Sequence, residues 1–169
     1  MESALRVLNA MVADGVLVLY AIGGAMGALF YVEPVATYDL EVFVELPEDA
    51  SRSLAPLQQA YEWLRSKSYA IDREHVLIEG TPVQLLPAYN PLVEEAVRQA
   101  ISRPVGGAEA RVCRAEHLVA ILVQTGRAKD RARLALFLEE ADLDHGRLQE
   151  ILARHGLADR WNRLLEKNR

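Results

Sequence analysis

The chain is predicted to fold as a mixed α/β (α+β) protein, a small mixed sheet with flanking helices followed by a C-terminal helical cap. Three observations predict this. Residues 39–46 alternate, with Leu40, Val42, Val44 and Leu46 on one side and Asp39, Glu41, Phe43 and Glu45 on the other, as a strand with one face in a core requires. Upstream, the apolar run Leu17 to Ile22 meets Gly23-Gly24 and then a short stretch of small and apolar residues, the order strand, turn, helix. Beyond Arg114 only helical spacing persists, from Ala115 to Lys167.

The chain opens with a helix over Ser3 to Ala13, where Leu5, Leu8 and Val12 recur at helical spacing, Ser3 is the candidate N-cap and Asp14-Gly15 the stop. Leu17 to Ile22 is the first strand. Gly24 to Tyr31 is a helix of small residues that ends at Glu33-Pro34, because proline disfavours helix in the residue before it. The acidic strand follows, then a turn at Pro47-Glu48-Asp49. Ser51 to Ser66 reads as a helix with Leu54, Leu57, Tyr61 and Leu64 inward and Pro56 near its first turn. Two strands come next, His75 to Glu79 and Thr81 or Val83 to Leu86, turned at Gly80; a helix then begins at Pro91 or Leu92 and runs to about Ile101. Ser102 to Ala108, rich in proline and glycine, is the expected linker, and Ala110 to Cys113 an edge strand. Helices are expected over Ala115 to Thr125, Asp130 to Glu140, His145 to His155 with Gly156 as its cap, and Ala158 to Lys167. Residues 1–105 are therefore expected to form the α/β core and 106–169 a helical subdomain packed on it.

With 169 residues, 51% of them hydrophobic, the chain can bury a substantial core as one domain, or as one core with a helical extension. A formal charge of −5 excludes a general nucleic-acid coat protein, which would be strongly basic, while leaving room for a local basic patch. One cysteine, Cys113, allows no intramolecular disulfide, in keeping with a reducing compartment. There is no basic leader followed by a cleavable apolar run, and no apolar stretch near the ~18 residues of a membrane span. A soluble, cytoplasmic protein without membrane partners is expected.

Strand geometry sets Asp39 and Glu41 side by side on one face, where two carboxylates repel unless a cation or a proton lies between them. Gly23-Gly24, one short helix upstream, would let backbone N–H groups approach an anion at a helix start. Together they point to a site for Mg²⁺ and a phosphate. Acids on the outer face of a half-solvated strand, and glycines used only for a turn, are the plainer reading of the same residues.

Ile22-Gly23-Gly24 and Asp39-Leu40-Glu41-Val42, with Thr37 two residues before the first acid, resemble the signature of the DNA-polymerase-β-like nucleotidyltransferases. Within that superfamily the chain looks most like the small bacterial branch related to AbiEii-type toxins. The resemblance implies a nucleotidyltransferase-like core, Asp39 and Glu41 as Mg²⁺ ligands, and an NTP as nucleotide donor. It also implies a hydroxyl acceptor on RNA, protein or a small molecule, with a cognate toxin or antitoxin as a candidate partner. A third acid is expected in the strand Val83-Gln84-Leu85-Leu86, and the residue there is Gln84, which is neutral and cannot act as a base. Either the two acids hold one metal with weaker chemistry, or the fold has lost catalysis and binds a nucleotide or a protein.

A second stretch, Gly126-Arg127-Ala128-Lys129-Asp130, resembles the Gly/Ala-Arg-x-Lys-Asp segment of the same small nucleotidyltransferases. Arg127 and Lys129 at a helix start would attract phosphate, and Asp130 would serve as N-cap or hold Lys129. The same letters also make an ordinary surface turn. Other candidates are weaker. His75, His117, His145 and His155 show no zinc-ligand spacing, and Glu116-His117 reads as a surface pair at a helix start. Cys113 is expected buried and inert, Trp63 and Trp161 in the core. Tyr89 is able to stack on a base. The run Arg127, Lys129, Arg131, Arg133 reads as a solvated helix face, or as a patch that steers a nucleic acid. Three functions follow: a nucleotidyltransferase, a non-catalytic relative that binds nucleotide or partner, and an interaction module whose acids are surface charges.

Overall fold

A computed structural model describes residues 1–34 and 37–167. The strands are β1 (Leu19–Ile22), β2 (Leu40–Glu45), β3 (Ala70–Asp72), β4 (His75–Ile78), β5 (Thr81–Pro87), β6 (Ile101–Val105) and β7 (Ala108–Val112). The helices are α1 (Glu2–Ala13), α2 (Gly24–Ala28), α3 (Glu48–Ser51), α4 (Gln58–Ser66), α5 (Pro91–Arg98), α6 (Ala115–Thr125), α7 (Ala128–Glu140), α8 (His145–Arg154) and α9 (Ala158–Lys167). The strands form one mixed sheet in the order β3-β4-β5-β2-β1-β7-β6, with β2–β5 and β1–β7 parallel and the other neighbours antiparallel. The expected α/β class, sheet plus helices, is what the chain adopts. No helix among the described residues is long and apolar enough to cross a membrane.

The alternation in β2 divides the core in two. Leu40, Val42 and Val44 join Leu5, Leu8 and Leu64 in the layer formed by α1 and α4. Phe43 projects the other way, into a layer built with α5, α6, α7 and α8. The face of β2 that carries the acids is therefore covered by helices rather than open to water. Asp39 and Glu41 are half-buried at its start. Each face is also apolar enough to drive its own layer, since a buried Leu or Phe side chain contributes about 1.5–3 kcal/mol.

Several expectations are corrected. The helix drawn over 51–66 begins only at Gln58, because Pro56 has no N–H and restrains the residue before it, and Leu54 is fully exposed instead of facing inward. Ser102 to Ala108 is not a linker. It is the β6–β7 hairpin, turned at Gly106-Gly107, with Gly106 at φ +59° and Pro104 on an edge strand that tolerates a missing donor. The boundary expected at 105/106 falls in that turn. β7 is interior, paired to both β1 and β6, so the sheet edges are β6 and β3, the latter unforeseen. α1 starts from Met1 rather than Ser3, and Met11 replaces Val12 on its buried side. Trp63 is half-buried and donates to Asp14 (3.0 Å), whereas Trp161 is buried as expected. Glu116 and His117 are buried, not a surface pair, because α6 is packed on most sides. Cys113 is buried, and desolvation pushes its thiol up to about 12, which keeps it unreactive at neutral pH.

Candidate functional site

The end of β1 delivers the chain to Gly23-Gly24, and both glycines are required by what faces them. A methyl group on Gly24 would run into the Glu41 carboxylate, and one on Gly23 into the Phe43 ring. Gly24 also holds φ at +56°, a conformation that side chains bearing a Cβ rarely adopt. The Gly23 N–H donates to the Glu41 carbonyl (3.0 Å), stitching the bend to β2. Diglycine and acid thus come together across the sheet. α2 itself has five residues, too short for much dipole, so the close approach of backbone to Glu41 is what the bend provides.

On the other side of β2, Glu41 stands opposite Gln84 in the parallel register with β5, and Gln84 stands opposite His75 in the antiparallel register with β4. Partners in register share a face, so His75, Gln84 and Glu41 form a row across the sheet. The row is completed by Asp39, whose Oδ2 lies 3.2 Å from His75 Nε2. Thr37 Oγ1 donates to the Asp39 carbonyl (3.3 Å). Sequence reasoning had placed Gln84 in this strand but missed His75, since the pairing of β4 with β5 is what carries His75 to Asp39.

Two cavities open over this row. One, of about 260 Å³, lies between Gly24, Glu41, Gln84 and the helices, with Phe43, Tyr89 and Phe137 among its walls. The other, of about 410 Å³, is lined by Thr37, Asp39, Glu41 and Lys129. Glu41 and Arg133 line both and so form the partition between them. Arg127 lines the first cavity and Lys129 the second, so the Gly-Arg-x-Lys-Asp turn faces the acids across the cleft. Exposed Tyr89, edge-on to Phe43 at 6.4 Å between ring centroids, also borders a third cavity of about 530 Å³ that carries Glu45, Glu48 and Glu94.

Asp130 does not join them. It is fully buried and accepts from Thr125 Oγ1 (2.7 Å), the Arg127 N–H (3.1 Å) and Arg127 Nε (2.8 Å). Burial opposes ionisation there, and the hydrogen bonds from Arg127 and Thr125 overcome it, holding the carboxyl below its ordinary range. Asp130 therefore braces the turn and caps α7, from the third helical position of a capping box rather than from the N-cap itself, which is Arg127, and it does not hold Lys129. Gly126, at φ +64°, closes α6 in the left-handed conformation that starts the same turn. The residues that the sequence undervalued are His75 and Arg133. Arg133 was grouped with a solvated basic face, yet its Nε is buried without a hydrogen-bond partner among the described residues.

A divalent ion would find two oxygen donors here, Asp39 and Glu41. Among the described residues, no group of three or more His, Cys, Asp or Glu side chains gathers where a metal could be held. Two carboxylates suit Mg²⁺, which keeps several waters and completes its shell with substrate phosphates. The donor set fits an ion that arrives with a nucleotide better than a resident one.

No protein-family model matches the chain, and no curated protein does. Solved structures do match. The solution structure of the antibiotic-resistance factor ANT(2'')-Ia is 13% identical with a TM-score of 0.54, over 99% of this chain and 98% of that one. A nucleotidyltransferase-like antigenic protein from Paracoccidioides brasiliensis is 12% identical with a TM-score of 0.57, over 96% and 91%. ANT(2'')-Ia in complex with adenylyl-2''-tobramycin is 11% identical with a TM-score of 0.53, over 94% and 97%. The chain shares the fold of these structures along nearly its whole length.

Proposed function

We propose that the chain is a nucleotidyltransferase, moving a nucleotide from an NTP to an acceptor hydroxyl with release of pyrophosphate. The observation that carries the reading is the placement of Gly24, Asp39 and Glu41 on one wall of paired cavities whose other wall bears Arg127, Lys129 and Arg133. Negative charge gathers on phosphate oxygens during such a transfer, and cations opposite a metal-binding pair of acids are what that charge requires. When bound, Mg²⁺ would supply charge neutralisation, held by Asp39 and Glu41. Gly24 keeps the backbone tight against Glu41, Thr37 and His75 hold Asp39, and Tyr89 offers a face to a base. In this reading residues 1–105 form the nucleotidyltransferase-like core that supplies the acids, and 106–169, apart from β7, form the cap that supplies the cations.

Of the acceptors the fold class allows, a small molecule is favoured by the adenylyl-2''-tobramycin held in a structure of the same fold. A cytoplasmic location, where NTPs are plentiful, goes with this reading. Membership of the AbiEii-type branch, and with it a toxin or antitoxin partner, is supported by the Gly126 to Asp130 segment alone. Gln84 beside Glu41 favours a second reading, a relative that binds nucleotide without turnover, since an amide supplies neither charge nor base.

Calorimetric titration of each NTP with Mg²⁺, on the wild type and on Asp39→Ala/Glu41→Ala, tests both. Binding that needs Mg²⁺ and is lost in the double variant supports the site. Transfer from radiolabelled NTP to total RNA or to tobramycin selects the enzyme, with transfer reduced at least ~100-fold in the double variant. Binding without transfer selects the second reading, and no binding by the wild type leaves an interaction module.

A further inference from the structure

The cations opposite the two acids are unequal. Arg127 is tied to Asp130 through Nε (2.8 Å) and Nη2 (3.2 Å), so its charge is largely answered within the turn. Lys129 is exposed at the rim. Arg133, one turn further along α7, is different. It lines both cavities, it has no carboxylate within 4.0 Å among the described residues, and its Nε is out of water with no acceptor. A buried donor without a partner costs stability, and a guanidinium is the group whose fixed fork of donors best matches phosphate oxygens.

Charge around the cleft leads the same way. Asp39 and Glu41 are the acids lining the two cavities, against the cations Arg127, Lys129 and Arg133. Because Gln84 stands where a third carboxylate would add negative charge, the two acids are already matched by Lys129 and Arg133 before any metal enters, with Arg127 answered by Asp130. The protein as a whole is negative at −5, so this is a local departure. An anion can enter such a cleft without a divalent ion to escort it.

We propose that Arg133 is the phosphate anchor of this site, gripping the triphosphate of the nucleotide donor whether or not Mg²⁺ is present. The inference rests on the nucleotidyltransferase reading above and adds to it a residue and a property, metal-independent anchoring. Arg133 positions the triphosphate by charge-assisted hydrogen bonds and takes no part in moving a proton.

The test is titration of ATP and of inorganic pyrophosphate, in EDTA and again with Mg²⁺, against the wild type, Arg133→Gln and Arg133→Lys. In EDTA the wild type binds both. Arg133→Gln binds both roughly 10- to 100-fold more weakly, the range expected for losing hydrogen bonds to a charged partner, and Arg133→Lys falls between. A thermal melt of Arg133→Met separates this role from a structural one. Removal of an unsatisfied donor leaves the melting temperature unchanged or higher, whereas a clear fall would mean that Arg133 serves the fold. Equal affinity of Arg133→Gln and wild type, or wild-type binding only with Mg²⁺, overturns the anchor and leaves the nucleotidyltransferase reading standing. Failure of the wild type to bind ATP under either condition overturns both.

Discussion

Among the described residues, two of the clusters of acids and bases are built to opposite plans. In one, Glu95 of α5 accepts from Arg154 (3.0 and 2.9 Å), His155 (2.8 Å) and His117 (3.2 Å), which ties α5 to α6 and to the end of α8. In the other, Asp39 and Glu41 face Lys129 and Arg133 across open cavities, and among the described residues no ion pair joins either acid to a lysine or an arginine, Asp39 meeting only His75 (3.2 Å). Glu95 is closed in and satisfied, its side chain only 15% exposed. The β2 acids are half-solvated, and Arg133 beside them keeps an orphaned donor. The difference teaches how to tell a brace from a site. A brace answers its own charges, whereas a site leaves them for a guest.

The sharpest way to break this contrast is Glu95→Ala. Three cationic or donor groups would lose their common acceptor, and since Arg154 is half exposed the loss should fall below the ~3–5 kcal/mol of a fully buried pair, at about 2–3 kcal/mol. Urea unfolding should show that loss, and a cost under about 1 kcal/mol would mean that the cluster is no brace.

Acid comes next. Burial alone would raise the Glu95 carboxyl, but hydrogen bonds from Arg154, His155 and His117 outweigh it and hold the group at about 2, against an ordinary 4.5. A depressed carboxylate stabilises the fold above 4.5 and loses that contribution as the pH drops toward 2, about 3 kcal/mol over the window at ~1.4 kcal/mol per unit. Burial lowers His117 from its ordinary 6.5, more strongly than Glu95 raises it. Below 6.5 the unfolded chain therefore takes up a proton that the folded one does not, and stability falls again in the same direction. Denaturation midpoints measured from pH 8 downward should decline first below pH 6.5 and then more steeply below 4.5. A flat profile from pH 6.5 to 4.5 would contradict the first, and one from 4.5 to 2 the second.

Gly24→Ala should cost about 1–2 kcal/mol, because alanine must hold a positive φ and displace Glu41, and it should abolish NTP binding as well. The corresponding change in the open site, Asp39→Asn/Glu41→Gln, removes repulsion and no internal ion pair with a cationic helix residue. Its melting temperature should stay within about 0.5–1 kcal/mol equivalent of wild type while Mg²⁺-dependent binding disappears. The smallest effect is expected for Gln84→Glu. The added carboxylate beside Glu41 should lower stability by less than about 1 kcal/mol in EDTA, and Mg²⁺ should then restore it. If Mg²⁺ fails to restore stability, the two positions do not face a common ion.

Much of the site was readable along the chain because its parts are local. Period-two alternation set Asp39 and Glu41 on one face, and the diglycine bend was marked by its own letters. The family pattern also located Gln84 in its strand before any pairing was known. His75 was unreadable for a different reason: nothing local ties it to Asp39, and only the β4–β5 register brings it there. Asp130 was legible as a residue of the helix start, but an acid there serves a ligand or a cap equally well by sequence, and its burial and its bonds to Arg127 are tertiary facts. Arg133 misled because a basic run at mixed spacing resembles a solvated face until the helix is docked. The hairpin β6–β7 was taken for a linker since glycine and proline mark both breaks and tight turns.

By itself the sequence determined what short-range physics controls, namely the alternating strand, most helices of the C-terminal half, the required glycines and the mixed α/β class. Tertiary structure alone decided which charges meet, from the closed knot on Glu95 to the open pair of cavities around Glu41. The reason lies in range. Backbone periodicity is written within a few residues, but whether a charged group finds a partner depends on strands and helices that the chain brings together from tens of residues away.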